Sequence, residues 1–317
     1  MRTLRIPSTG LDVSALAYGA SRFGTSVTGD GVSRLYETYR QAGGNFFDTA
    51  HCYAFWSTGG LGASERALGE WVRRHGDEGR VVIATKGGHP DAGEDYRRPN
   101  CYLSGEVLAR DIADSLERLG LPHVDIYLLH RDDRRVDVSE IIDALNEHVQ
   151  AGRLRHLGAS NWTTQRIAAA NAYAASRGLQ GFVISQPRFS LATSNKPATE
   201  DDLDTRPLDE IAHAWHAATG FPVMAYSSTA CGYFATDGQA GAGTFDNPVS
   251  RRRLARARDL ATQLGHSPTQ IALAWLMHQP FPVVPILGTT NLDHLHDAMQ
   301  ALTVQLTPEH VAWLGCE

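Results

Sequence analysis

Short runs of apolar residues recur along the chain and alternate with amphipathic stretches. The runs show little alternation of apolar and polar positions, which is typical of parallel strands buried on both faces. Between Ser104 and Leu119, apolar residues recur at the 3.6-residue period of a helix. Eight strands are predicted in this way: Leu16–Gly19, Asn45–Asp48, Val81–Lys86, Asp125–His130, His156–Ser160, Phe182–Gln186, Pro222–Ser227 and Val283–Gly288.

The number and order of these elements predict the fold class. Eight strand–helix units in a chain of 317 residues match an α/β closed (β/α)8 barrel, the TIM barrel, and we expect one domain spanning residues 1–317. An open doubly wound sheet is the alternative. That fold usually carries a GxGxxG motif after its first strand, and this sequence lacks it.

Accessory elements are predicted around the barrel. Apolar residues on both sides of Pro7–Gly10 indicate a short N-terminal β-hairpin that covers the bottom of the barrel. The interval before the last strand is too long for one crossover, so we expect an extra helix around Ser250–Leu264. Another helix is expected to begin at Ser139. The longest polar insertions, Gly87–Asn100 and Thr193–Thr205, follow directly after predicted strands.

Composition narrows the choice of partners. A net charge of −6 gives no reason to expect nucleic acid or a membrane surface. The chain lacks the apolar segment of a signal peptide and any run of about 18 apolar residues. Its four cysteines are scattered without a CxxC pair, so we expect no metal site and a cytoplasmic protein. The sequence leaves the oligomeric state open.

Chemically active side chains follow three consecutive predicted strands. Asp48, Lys86 and His130 each end an apolar run, and Tyr53 comes five positions after Asp48. In a parallel barrel the carboxyl ends of all strands meet at one rim, where catalytic groups lie. The four side chains are therefore expected to form one site.

The chemistry of these four groups is coherent. A tyrosine with a pKa of about 10 is a weak general acid at neutral pH. A nearby Lys86 ammonium is expected to lower the pKa of Tyr53, and Asp48 would keep the lysine charged. His130 can orient a carbonyl oxygen or relay a proton. The set suits protonation of a carbonyl oxygen, and a hydride must then come from a cofactor.

At this point the sequence resembles the aldo-keto reductase superfamily along nearly its whole length. The matching segments are FFDTAHCY, GASERALG, GASNW, SQPRF and AYSSTACGYF. The resemblance implies a catalytic tetrad of Asp48, Tyr53, Lys86 and His130. It also implies a site for the nicotinamide carboxamide at Ser160, Asn161 and Gln186, with Tyr226 stacking on the nicotinamide ring and Ser227 near the cofactor phosphates.

The resemblance extends to the adenine end of the cofactor through the segment PILGTTNLDHLHDAM. The residues implied there are Gly288, Thr289, Thr290, His294 and Asp297. The family usually places an arginine or lysine here for the 2′-phosphate of NADP, and this chain has none in the segment. Hydroxyls and backbone N–H groups at a helix N-terminus also bind phosphate. NADP is the expected cofactor, with NAD as the alternative.

The predicted function is reduction of an aldehyde or ketone, aryl or sugar-like, with Tyr53 as proton donor. Trp56 and Trp162 are expected to line the substrate pocket. The alternatives are oxidation of an alcohol or sugar by the same groups, or a cofactor-sensing binding subunit like the potassium-channel β subunits. A Schiff-base aldolase using Lys86 is a third possibility. In each catalytic case the partner is a small-molecule carbonyl or alcohol.

Overall fold

A computed structural model describes residues 1–196 and 205–316. Elements are numbered in chain order. The strands are β1 (Thr3–Arg5), β2 (Asp12–Ser14), β3 (Ala17–Gly19), β4 (Phe46–Asp48), β5 (Val82–Gly87), β6 (Val124–Leu129), β7 (Leu154–Ser160), β8 (Phe182–Gln186), β9 (Val223–Ala225) and β10 (Val283–Leu287). The helices are α1 (Asp30–Gln41), α2 (Ala63–Arg74), α3 (Gly105–Leu119), α4 (Val138–Gln150), α5 (Thr164–Arg177), α6 (Glu210–Thr219), α7 (Ala242–Phe245), α8 (Pro248–Leu264), α9 (Pro268–Met277), α10 (Leu292–Gln300) and α11 (Pro308–Gly315).

Strands β3 to β10 form a closed parallel barrel in sequential order, so the predicted (β/α)8 fold is confirmed. All eight predicted strands exist, and their ends shift by a few residues. The seventh ends at Ala225 because the chain turns away at Ser227, where φ is +53°. His130, predicted to end the fourth of these strands, lies one residue beyond β6, although its N–H still donates to the Gly87 carbonyl.

The N-terminal hairpin is also confirmed. Strands β1 and β2 pair antiparallel, with Thr3 opposite Ser14. Ile6 and Val13 are fully buried against the apolar side chains inside the barrel. The hairpin therefore seals the end of the barrel opposite the one where the parallel strands finish.

Local capping explains where the helices begin. Ser104 caps α3 by accepting from the Val107 N–H, and Ser267 forms a capping box with Gln270 at the start of α9. The helix expected to begin at Ser139 begins one residue earlier, because the Asp137 side chain accepts from the Ser139 N–H. Most of the predicted polar insertion after β8, residues 197–204, lies outside the described residues.

Alternation along the strands divides the core into two parts. Phe46, Ala84 and Leu128 lie inside the barrel, whereas their neighbours Phe47 and Tyr127 pack outward against the helices. Because side chains of a strand alternate in direction, residues two positions further along point inward as well. This places the polar residues at the ends of the strands around the mouth of the barrel. No helix in the described part of the chain is long and apolar enough to cross a membrane.

Close packing of α2 against α3 depends on Gly69. A methyl group added there would overlap the carbonyl of Leu119. We expect Gly69→Ala to lower the free energy of unfolding by about 1–3 kcal/mol, the usual effect of overpacking. Denaturant unfolding of purified protein measures this change. Gly243→Ala is the matched control, since a methyl group at this helical position meets nothing within 4 Å; equal stability of the two variants would contradict the packing argument.

Candidate active site

Three neighbouring strands position the predicted catalytic residues. Asp48 ends β4 opposite Ala84, and Lys86 lies in β5 opposite Leu128. Tyr53 belongs to the turn after β4, and this turn is fastened to β5 by a hydrogen bond from the His51 N–H to the Lys86 carbonyl, 2.8 Å long. The structure therefore brings the four predicted side chains together at the mouth of the barrel.

The Lys86 ammonium is the centre of this group. Its Nζ lies 2.8 Å from Asp48 Oδ2, 2.7 Å from the Thr49 carbonyl and 3.0 Å from the Tyr53 hydroxyl. Lys86 is completely buried, with 0 % of its surface exposed. All three hydrogens of the ammonium thus have an acceptor, as a buried cation requires.

The protonation states follow from burial and these contacts. Burial by itself lowers the pKa of Lys86, but the Asp48 carboxylate and the Tyr53 hydroxyl outweigh it, so the pKa is raised and the lysine stays charged. Burial raises the pKa of Tyr53 above its ordinary value, even though the positive charge of Lys86 lowers it in part. The expected net lowering of the tyrosine pKa is therefore wrong, because loss of hydration outweighs the lysine. Tyr53 holds its proton at neutral pH.

His130 is a neutral imidazole in this site. Burial, and next the positive charge of Arg131, lower its pKa well below the ordinary value of 6.5. Its Nδ1 lies 3.3 Å from the Cys52 sulfur. The ring packs edge-on against Tyr53, with centroids 5.8 Å apart. A neutral ring can donate one hydrogen bond to a substrate oxygen without adding a charge to the site.

A polar wall continues from the four predicted catalytic residues. Ser160 ends β7 opposite Gln186, and Gln186 Nε2 donates to Asp48 Oδ1 over 2.8 Å. The amide of Asn161 donates to Ser160 Oγ, and its oxygen accepts from the Tyr226 hydroxyl over 2.8 Å. A carboxamide could bind here by replacing some of these bonds, so the donor and acceptor set fits the predicted nicotinamide.

The turn after β9 contains the predicted phosphate contact. Ser227 is half-buried in a left-handed conformation, and its carbonyl accepts from the Ala230 N–H over 2.8 Å. Ser228 holds this turn against β10 by donating to the Ile286 carbonyl. The turn is therefore a rigid, partly exposed stretch of backbone beside the polar wall.

The predicted adenine end lies between β10 and α10. Gly288, Thr290 and His294 are exposed, and the Thr289 carbonyl accepts from Tyr18. At the start of α10 the N–H groups of Asp293 and His294 already donate to Asn291 Oδ1, so a phosphate bound there would have to replace this cap or use the nearby hydroxyls.

Asp297 accepts from both Ser267 and Gln270, which ties α10 to the start of α9. Its contact with adenine stays a prediction, whereas its structural role is evident.

A cleft of about 870 Å³ opens beside Tyr53 and His130. Trp56 lines this cleft with 48 % of its surface exposed, as expected for a pocket wall. Trp162 does not line it. Its ring is buried, 4 % exposed, and packs edge-on against Phe182 behind the strands, so the expected substrate role of Trp162 is not supported.

Several residues of the cleft were missing from the sequence prediction. His89, Tyr102, Arg131, Arg134 and Arg135 all line it. The segment HRDDRR directly follows β6, so its position after a strand end was a usable signal. The walls combine aromatic rings with cations and the carboxylates of Asp91 and Asp133.

Comparison with known proteins identifies the family. A profile described as the aldo/keto reductase family matches residues 15–314. The chain belongs to the aldo/keto reductase family. Its fold is similar to that of a thermostable aldo-keto reductase crystallised with the inhibitor epalrestat, with a TM-score of 0.73, 22 % identity and 99 % of each chain covered.

Two relatives of this aldo-keto reductase carry specific names. A 6-dehydroglucose reductase of Novosphingobium aromaticivorans is 30 % identical over 94 % of this chain and 89 % of the relative. An aryl-alcohol dehydrogenase (NADP+) of Phanerodontia chrysosporium is 26 % identical over 98 % of this chain and 83 % of the relative. The family is thus an oxidoreductase family, and the relatives' names differ in the substrate.

The buried pair of Asp48 and Lys86 makes a testable contribution to stability. We expect Asp48→Asn to lower the free energy of unfolding by about 3–5 kcal/mol, because it leaves the Lys86 cation buried without its counter-charge. Asp12→Asn is the control, since Asp12 pairs with Arg5 on the exposed hairpin at the same distance of 2.8 Å. That change should lower the free energy of unfolding by about 0–1 kcal/mol. Chemical denaturation of both variants gives the comparison, and similar losses would show that burial of the pair is unimportant.

Proposed function

We propose that this aldo-keto reductase is an NAD(P)H-dependent reductase that converts an aldehyde or ketone into an alcohol. The observation that carries the proposal is the Tyr53 hydroxyl, which lies on the wall of the cleft only 3.0 Å from the buried Lys86 ammonium. A protonated tyrosine and a neutral histidine facing one cleft are suited to a carbonyl oxygen that gains negative charge.

Each residue has a distinct task in this mechanism. Tyr53 donates its proton to the carbonyl oxygen as negative charge develops there. Lys86 stabilises the phenolate that remains, since its ammonium already donates to the same oxygen. Asp48 keeps the lysine charged and in place. His130 donates a hydrogen bond to the carbonyl oxygen and orients it.

The polar wall is the proposed cofactor site. A nicotinamide dinucleotide, when bound, supplies the hydride. Ser160, Asn161 and Gln186 would hold the carboxamide, and Tyr226 would contact the nicotinamide ring. Burial raises the pKa of Tyr226 to about 12, so its hydroxyl remains a donor to Asn161. NADP is the first candidate, supported by the name of the aryl-alcohol dehydrogenase relative, and NAD is the alternative.

The cleft supports two classes of substrate. Phe55, Trp56 and Tyr102 offer aromatic surfaces on which a planar aryl aldehyde can pack. The arginines and carboxylates around them offer hydrogen bonds to the hydroxyls of a sugar-like ketone. The reverse reaction, oxidation of the alcohol or sugar, uses the same groups. A screen with both carbonyl classes, and with their alcohols, distinguishes these cases.

The geometry favours catalysis by this tetrad over the alternatives. In a Schiff-base aldolase the lysine must attack as a neutral amine, but all three hydrogens of the Lys86 ammonium are donated to protein oxygens. A binding subunit that only senses cofactor needs no proton donor, and the intact set of four residues argues for turnover.

Removal of the Tyr53 hydroxyl tests the proposal directly. We expect Tyr53→Phe to lower kcat for carbonyl reduction at least about a hundredfold, since general-acid catalysis contributes about 10²–10⁴. Cofactor affinity, measured by quenching of tryptophan fluorescence with NADPH and NADH, should change little.

Tyr173→Phe is the control, because the Tyr173 hydroxyl donates to Asp143 on the outer surface, away from the cleft. A Tyr53→Phe protein that reduces carbonyls at the wild-type rate would disprove the assignment of the proton donor. Cofactor binding without turnover in the wild-type protein would favour the binding subunit.

The pH dependence of reduction follows from the shifted pKa values of Tyr53 and His130. The pKa of Tyr53 is raised above 10, so the acid remains protonated across the neutral range. The pKa of His130 lies well below 6.5, so the ring remains neutral there. We expect kcat/KM for reduction to be flat between about pH 6.5 and about pH 9. Steady-state rates in a constant-ionic-strength buffer series provide the profile. An inflection near 6.5 that vanishes in His130→Gln would contradict this account.

A further inference from the structure

Cys52 contacts the imidazole that faces the substrate cleft. It precedes Tyr53 in the turn after β4, and its side chain is 2 % exposed. The Cys52 sulfur lies 3.3 Å from His130 Nδ1, which is hydrogen-bonding distance for a thiol. Among the described residues the His130 ring has no second hydrogen-bond partner, since Arg131 and Asn161 donate to its backbone carbonyl. The contact therefore occupies one ring nitrogen and leaves Nε2 for the cleft.

The two groups are both neutral, so the direction of this hydrogen bond is linked to the tautomer of the ring. Burial raises the pKa of the Cys52 thiol to about 12, and burial together with Arg131 keeps His130 unprotonated at neutral pH. If the thiol donates to Nδ1, the ring proton is on Nε2. If Nδ1 donates to sulfur, Nε2 is a bare acceptor. A thiol is both a weak donor and a weak acceptor, so the two directions have similar strength and the tautomer is decided by what Nε2 does in the cleft.

We propose that Cys52 is a positioning residue for His130: its thiol donates to Nδ1 and stabilises the tautomer with the proton on Nε2. This inference rests on the proposed reductase function, because only that tautomer can donate a hydrogen bond from Nε2 to a carbonyl oxygen. The thiol thereby supports the tautomer whose ring nitrogen in the cleft attracts the reacting oxygen.

A packing role alone would not require a thiol. Cys52 belongs to a small apolar cluster with Ala50 and Tyr96, where any small apolar side chain would serve for packing. Oxidative regulation is disfavoured, since the buried sulfur keeps its proton and the thiolate is the reactive form. The distinguishing property of Cys52 is its hydrogen-bond donor, and substitutions can remove or retain that donor.

The first experiment determines the tautomer of the His130 ring directly by NMR. Long-range nitrogen–proton correlation spectra of the full-length protein with ¹⁵N-labelled histidine distinguish the protonated from the bare ring nitrogen. The His130→Gln spectrum identifies the His130 signals by their disappearance. We expect the wild-type ring to carry its proton on Nε2. A proton on Nδ1 in the wild-type protein would overturn the proposal without any variant having to fold.

The second experiment compares Cys52→Val with Cys52→Ser. Valine removes the donor, and we expect the preference for the Nε2 proton to weaken and kcat/KM for reduction to fall by roughly three- to tenfold, the effect of one neutral hydrogen bond. Serine retains a donor and should restore the tautomer and most of the rate. Unchanged tautomer and rate in Cys52→Val, or a loss in Cys52→Ser as large as in Cys52→Val, would overturn the proposal.

The two proposals fail in different ways. If the wild-type protein reduces no carbonyl, the proposed function fails, while the nitrogen spectra still decide the role of Cys52. If the protein is active but the His130 tautomer does not depend on Cys52, the reductase function stands and the positioning role is refuted.

Discussion

The buried ammonium of Lys86 is the interaction on which the site depends. An isolated charge inside a protein is strongly unfavourable, so every hydrogen of the ammonium must have an acceptor. Asp48 on β4, the Thr49 carbonyl and Tyr53 provide the three acceptors. Asp48 also accepts from Gln186 on β8, across the mouth of the barrel. The pair of Lys86 and Asp48 thereby connects β5 with β4 and the turn after it, and through Gln186 with β8.

The barrel can accommodate this charge because its interior is divided along its axis. At the bottom, the hairpin residues Ile6 and Val13 close an apolar interior. At the top, the same inward positions become polar, as Phe46 is followed by Asp48 and Ala84 by Lys86. The apolar part supplies packing that fixes the strands, and the rigid strands then hold the polar side chains at defined distances.

Loss of hydration sets the protonation states at the mouth of the barrel. It keeps the proton on Tyr53 against the field of Lys86, and it keeps His130 and Cys52 neutral. Among the four predicted catalytic residues there is therefore one charged pair, Asp48 and Lys86, beside the neutral donors Tyr53 and His130. Such an arrangement of donors is suited to stabilising an oxyanion that develops beside Tyr53 and His130.

The sequence by itself determined the eight strands, the hairpin and the position of the predicted catalytic side chains at the strand ends. Apolar runs and the 3.6-residue helical period are local properties, and parallel pairing brings the ends of neighbouring strands together whatever their separation in the chain. Residues as distant as Asp48 and Gln186, 138 positions apart, could be placed at the same rim in this way.

Only the tertiary structure decided the sign of the Tyr53 pKa shift, the buried position of Trp162 and the contact of Cys52 with His130. Each depends on which atoms from several elements surround one side chain. A shift of a few ångströms changes the hydration of a side chain and its hydrogen-bond distances. Positions are fixed to that precision only by the packing of the whole barrel, and no local sequence pattern contains them.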